Sequence, residues 1–380
     1  MLYDGAGEAA APQTVDRDPW SLPMKSAHPL LRALLVAAMG VCLPLGNPCR
    51  ALGPEEDPSP DRDLTPAARE AIHHGIQFLV QNQREDGSWG NQGGMGRYPV
   101  AMTALSGLAL LENGSLPASG PQAATVRRAI EFLLAQADPQ TGLIGGDESG
   151  RPMFGHGFAT LFLAQVYGSE GDPALRTRIR QALERAVALT ARVQSASGGW
   201  YYTPTAESDE GAVTVTQMQG LRACADAGIP VPPETVQRAQ GYVAASANPD
   251  GGIAYRASEE GPSRPAITAA AIVTLYSAGL YGSELARQAF RYATETIPLS
   301  GGSSSGGGHF FYAHLYLSQA TYFEGGQGWR DYFRQIRDWL VSNQKADGSW
   351  EGDFFGTTYG TAVALLILQL PYNTLPIVQR

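Results

Sequence analysis

From residue 65 to about residue 372, two kinds of apolar stretch alternate along the chain. One kind mixes apolar positions with charge, as around Arg69 and Glu70, around Arg127, Arg128 and Glu131, and around Arg176, Arg178, Arg180, Glu184 and Arg185. The other is apolar on almost every side, as in Val100–Leu111, and should be buried on more than one face. The pattern predicts paired helices: a first, partly exposed helix suited to an outer ring and a second, buried one suited to an inner ring. The second helices are expected to start near residues 99, 154, 211, 265, 308 and 357.

Each first helix runs into a recurring signature. Residues 74–89 end in Gln83-Arg-Glu-Asp-Gly87-Ser-Trp89, and the same spacing returns as Gln194, Gly198, Trp200 and as Gln344, Gly348, Trp350. Fainter copies keep the glycine at 142, 251 and 301, so the marker glycine steps through the chain by about 55, 56, 53, 50 and 47 residues. Each piece has a physical task. An aromatic-aliphatic pair faces the core, and the Gln is expected to bond free backbone groups at the end of its helix. The Gly turns the chain at positive φ, and the Trp buries a large flat surface.

This signature resembles the QW motif of squalene and terpenoid cyclases, a repeat family that includes the β subunits of protein prenyltransferases. The resemblance spans about residues 65–372. It implies an all-α fold, a closed α6/α6 toroid of six two-helix repeats around a central cavity. It does not imply a reaction, because the motif is structural in that family.

Composition narrows the picture. Charged residues are 17% of the 380, below the roughly 25% of ordinary soluble domains, which fits much buried helix surface. A net charge of −9 leaves no basic footprint for nucleic acid. Residues 1–51 read as an N-terminal extension followed by a secretory signal, with Met24-Lys25, an apolar run from Leu30 to Leu45, and Cys49-Arg50-Ala51 as a cleavage site. Met24 is as good a candidate start as Met1. That run is poor as a membrane span, and export to the periplasm or the exterior is expected. Residues 52–64 read as a flexible linker and 65–380 as the toroid. Only Cys224 lies beyond the leader, so neither an internal disulfide nor a multi-cysteine metal site is expected there.

Candidate chemistry gathers where the inner helices begin, because six positive helix ends converge there. Those starts carry Arg97 and Tyr98, Phe154 and His156, Arg264, His309 with Phe311 and Tyr312, and Asp353 with Phe355 and Tyr359. Aromatics with a few polar groups suit a bulky apolar ligand. The cyclase acid run has its nearest match in Glu207-Ser-Asp209-Glu210-Gly-Ala, which makes Asp209 the candidate acid with Glu207 and Glu210 beside it. Three crowded carboxylates should raise at least one pKa. The prenyltransferase zinc set is not matched: no Asp-x-Cys opens an inner helix, and His156 and His309 fall on opposite sides of the ring. No metal and no cofactor are expected. Gly301–Gly308 reads as a flexible mouth loop. Three functions stay open: a cavity binding an apolar small molecule or a peptide, a cyclase- or prenyl-transfer-like enzyme using Asp209, and a polysaccharide-active α/α barrel.

Overall fold

The computed structural model describes residues 58–146, 148–257, 259–299 and 309–379. The leader and the glycine-rich stretch 301–308, with the fifth marker Gly301, lie outside these residues. Among them there is no strand, only isolated bridges such as Ala137–Ile144 and Ala247–Ile253, which tie down the turns after outer helices.

A short α1 (Pro60–Asp63) precedes twelve longer helices. The outer helices are α2 (Pro66–Gln81), α4 (Ala123–Ala135), α6 (Pro173–Arg192), α8 (Pro233–Ala245), α10 (Glu284–Thr296) and α12 (Gly326–Ser342). The inner helices are α3 (Pro99–Glu112), α5 (Pro152–Tyr167), α7 (Gly211–Asp226), α9 (Pro265–Ser277), α11 (Phe310–Glu324) and α13 (Gly356–Gln369). Proline opens six of these twelve, where its missing N–H costs nothing. Thr65, Asp172 and Ser283 cap α2, α6 and α10 with their side-chain oxygens.

Each inner helix packs on the next, and α13 packs on α3, so the inner ring closes. The outer helices wrap it: α4 covers α3, α6 covers α5, α10 covers α9, α12 covers α11, and α2 reaches around to cover α13. First and last repeats thus share one seam.

The recurring signature makes these seams. Trp89, Trp200 and Trp350 are fully buried, and their indole N–H groups donate to Leu79, Thr190 and Leu340 carbonyls at 2.7, 2.7 and 2.8 Å. Their backbone amides donate to Thr103, Thr214 and Thr361 at the start of the following inner helix. The glutamine does something other than cap its own helix. Gln83, Gln194 and Gln344 each donate to the marker glycine's carbonyl and across the seam to the next outer helix, at Thr125, Thr235 and Ala71. The helix end is served instead by Asn82 and Asn343, one residue earlier. The marker glycines sit at φ of 85–96°. A Cβ on Gly87, Gly142 or Gly198 would collide with the carbonyl oxygen of Arg128, Arg185 or Arg238 in the next outer helix, and on Gly348 it would lie 2.6 Å from that of His74. Glycine is required twice over, for conformation and for closeness.

The ring's two ends differ. At the C-terminal ends of the inner helices, residues 370–379 fold back across the opening. Glu112 of α3 accepts the amides of Thr374 and Leu375 at 3.3 and 3.1 Å, and Gln165 of α5 accepts that of Ile377. Leu375 and Val378 are buried there, and only a small void of about 40 Å³ remains. The other end, where the inner helices begin, opens into a chamber.

Candidate functional site

The chamber has a volume of about 540 Å³. Its floor is Met102, Leu105 and Phe158; its walls carry Tyr98, Phe154, Phe310, Tyr312, Phe355 and Tyr359. Tyr98, Phe355 and Tyr359 pack edge to face in series, with ring centroids 5.7 and 5.3 Å apart. Such contacts hold bulky rings in fixed positions around an open space.

Of the residues expected at the mouth, Tyr98, Phe154, Arg264, His309, Tyr312, Phe355 and Tyr359 line the chamber. The others do not, each for a local reason. His156 points outward from α5 and is fully buried between Ile144, whose amide it accepts at 3.1 Å, and Thr190 of α6. Burial holds its pKa down at about 4, so it is a neutral strut. Phe311 packs against Trp339 of α12. Arg97 lies on the exposed rim, its amide held by Ser149. Asp353 caps α11, accepting the amides of Phe311 and Tyr312 at 3.1 Å each. Desolvation raises its pKa to about 6, against the pull of those amides.

The acid cluster separates in the same way. Glu207 is exposed and outside the chamber. Asp209 is buried, but it accepts Ser197 at 2.7 Å and the Ala257 amide at 3.0 Å, pinning two loops together behind the wall. Glu210 is the N-cap of α7 and accepts the amides of Ala212 and Val213 at 3.0 and 2.6 Å. Its pKa is raised to about 7, and the cause is burial, not the expected crowding of like charges. The amides and the nearby Tyr255 hydroxyl limit the rise.

Several lining residues carry no signal in the sequence pattern. Tyr202 and Tyr255 stand two residues after Trp200 and its substitute Ile253, and their hydroxyls hydrogen-bond to each other in the chamber wall. Burial raises both phenol pKa values. Arg151, at the start of α5, lies 4.6 Å over the Tyr202 ring. Thr296, Ile297 and Pro298 enter from the end of an outer helix. His314 lines the chamber too, while its ring nitrogens meet Tyr332 and the Pro298 carbonyl; burial lowers its pKa to about 4. No group of three potential metal ligands occurs among the described residues.

No protein-family model matches the chain, and no curated protein matches it. Solved structures do. The type II terpene cyclase MstE from Scytonema, with its product merosterolic acid A, is 15% identical over 81% of this chain and 98% of its own, with a TM-score of 0.55. An inactive variant of the alpha-1,6-mannanase GH76A of Salegentibacter sp. HEL1_6, with alpha-1,6-mannotetrose, is 10% identical over 82% and 100%, with a TM-score of 0.58. A protein from Actinoplanes is 20% identical over 81% and 99%, with a TM-score of 0.50. The chain is an α/α toroid. At these identities the likeness is one of fold, and the fold carries both terpene and glycan chemistry in those neighbours, so the chamber of this toroid has to speak for itself.

Proposed function

We propose that this toroid is an exported member of the QW-motif repeat family whose central chamber binds an apolar, isoprenoid-like molecule. The observation that carries the reading is the lining. A chamber of about 540 Å³, inside the roughly 300–1,000 Å³ range of small-molecule sites, is walled by aromatic side chains, with no aspartate or glutamate in its lining among the described residues. A glycan-cleaving barrel needs two carboxylates facing the sugar. Here Asp209, Glu210 and Asp353 all turn to backbone amides instead. A peptide would need backbone partners along its whole length, and the floor at Met102, Leu105 and Phe158 supplies none. Export rests on the leader within residues 1–51, which lies outside the described residues.

One observation supports a second, catalytic reading. Glu210 carries a pKa near 7 and lies beside Tyr255, whose hydroxyl belongs to the chamber wall. In a cyclase-like reaction the acid would then be Glu210 acting through Tyr255, with Asp209 holding the loops. Glu210→Gln keeps a capping oxygen and removes the proton, so it should abolish any turnover of a polyprenyl alkene and leave binding intact.

The binding reading is tested by titrating the full chain with geranylgeraniol while following intrinsic fluorescence. One site per chain is expected. Ala101→Trp, which fills the chamber from α3, should weaken binding by about tenfold or more, a loss of at least ~1.4 kcal/mol. Unchanged affinity in a folded Ala101→Trp protein would rule the chamber out as the site.

A further inference from the structure

The six inner helices do not begin alike: from α3 to α11 two kinds of start alternate, and α13, whose N-cap is Phe355, has neither. The N-termini of α3, α7 and α11 are each covered by a carboxylate: Glu148 accepts the Val100 amide at 2.6 Å, Glu210 caps α7, and Asp353 caps α11. Such acids favour the positive end of a helix. Between them, α5 and α9 have no side-chain cap, and their N-cap residues are Arg151 and Arg264. An arginine there adds its charge to the helix's positive end, the arrangement that the dipole disfavours.

Both arginines line the chamber. Among the described residues neither forms an ion pair; Arg151 rests on the Tyr202 ring, and both are exposed. The protein carries 36 acidic and 27 basic residues, yet among the described residues the chamber lining has two arginines, two histidines and no acid. His309 stands beside Arg264, and burial with that neighbouring charge lowers its pKa, which leaves it a neutral hydrogen-bonding group. Among the described residues, the carboxylates Glu148, Glu210 and Asp353 at the mouth turn to helix amides while two arginines line the apolar chamber, and such an arrangement presents a site for negative charge. The apolar floor at Leu105 and Phe158 lies beyond it.

We propose that the chamber's ligand is a single-chain anionic amphiphile, with its apolar chain inside and a carboxylate or phosphate head group held at the mouth by Arg151 and Arg264. This rests on the reading that the chamber binds apolar molecules, and it adds the head group. Arginine suits either head, since its planar fork matches two oxygens of carboxylate or phosphate.

The test uses the full chain and four probes at submicellar concentration: dodecanoate, dodecyl phosphate, dodecanol and inorganic phosphate. The expected result is that one or both anionic amphiphiles bind about tenfold or more tighter than dodecanol, and that inorganic phosphate alone does not compete. The stronger of the two anions identifies the head group. In Arg151→Gln/Arg264→Gln the preference should fall to within about twofold; in Arg264→Lys, which keeps the charge, most of it should remain. Arg291→Gln, on the outer surface, changes net charge equally and should leave the preference intact. Dodecanol binding as well as the anions, or an anion preference that survives in the double variant, would overturn the head-group site and leave the apolar chamber standing. No binding of any chain-bearing probe would overturn both. Competition by inorganic phosphate as strong as by dodecyl phosphate would make this a simple anion site and overturn the amphiphile.

Discussion

The seams and the mouth of this toroid are built from the same helices by opposite rules. At the seams, three complete copies of the signature make the same bonds three times: indole to helix carbonyl, glutamine across to the next outer helix, glycine against its carbonyl. At the mouth nothing repeats in full. From α3 to α11 acid-started helices alternate with arginine-started ones, α13 has Phe355 at its N-cap, and the lining comes from inner helices, from loops and from one outer-helix end. Repetition closes the ring; departure from repetition shapes the chamber. Substitutions at the seams should therefore cost stability, and substitutions at the mouth should cost binding.

The largest effect is expected at a seam tryptophan. Trp200→Ala removes a fully buried indole and its hydrogen bond, and should destabilise by about 3–5 kcal/mol, read by chemical denaturation. A folded Trp200→Ala protein of unchanged stability that has lost ligand binding would break the distinction. Gly198→Ala comes next. Its φ of 96° costs a non-glycine residue about 1–3 kcal/mol, and the collision with the Arg238 carbonyl adds to that.

Glu112 sharpens the contrast between the mouth and the sealed end. Its pKa is raised by burial to about 8, so the folded protein holds a proton that the unfolded chain releases near 4.5. Stability from this group is full below about 4.5 and is lost as pH rises toward 8. His156 and His314, both lowered to about 4, act in the other direction between about 4 and 6.5. Glu112→Gln should therefore flatten the alkaline fall in melting temperature between pH 6 and 8, compared with the unsubstituted protein. An identical profile would mean that Glu112 ionises without cost. The smallest effect is expected at the mouth: Arg264→Gln should shift stability by no more than about 0.5 kcal/mol, and upward if at all, since it relieves the end of α9.

The fold was legible because closure is written in short, fixed spacings. Gln83, Gly87 and Trp89 sit within one turn of chain, and their counterparts recur at regular steps. The chamber was legible only by position. Proximity to an inner-helix start placed Tyr98, Phe154, Arg264, His309, Tyr312, Phe355 and Tyr359 correctly, but it says nothing of which way a side chain turns. His156, two residues past Phe154, points to the outer ring. Asp353 and Asp209 sit in mouth loops yet bond to amides, because an unpaired N–H at a helix end or loop takes a carboxylate within reach. Tyr202 and Tyr255 were hidden for a different reason. They belong to loops whose lengths vary between repeats, and only their distance from Trp200 and Ile253 marks them.

The chamber, not the outer surface, should hold the apolar ligand. Native mass spectrometry of the purified full chain, with lipid extraction of the same sample, tests it most directly. One chain-bearing molecule per protein is expected, retained by Trp200→Phe, which keeps the seam filled, and absent from Ala101→Trp, which fills the chamber. The same adduct on both variants, or an adduct retained by the chamber-filled protein alone, would contradict it.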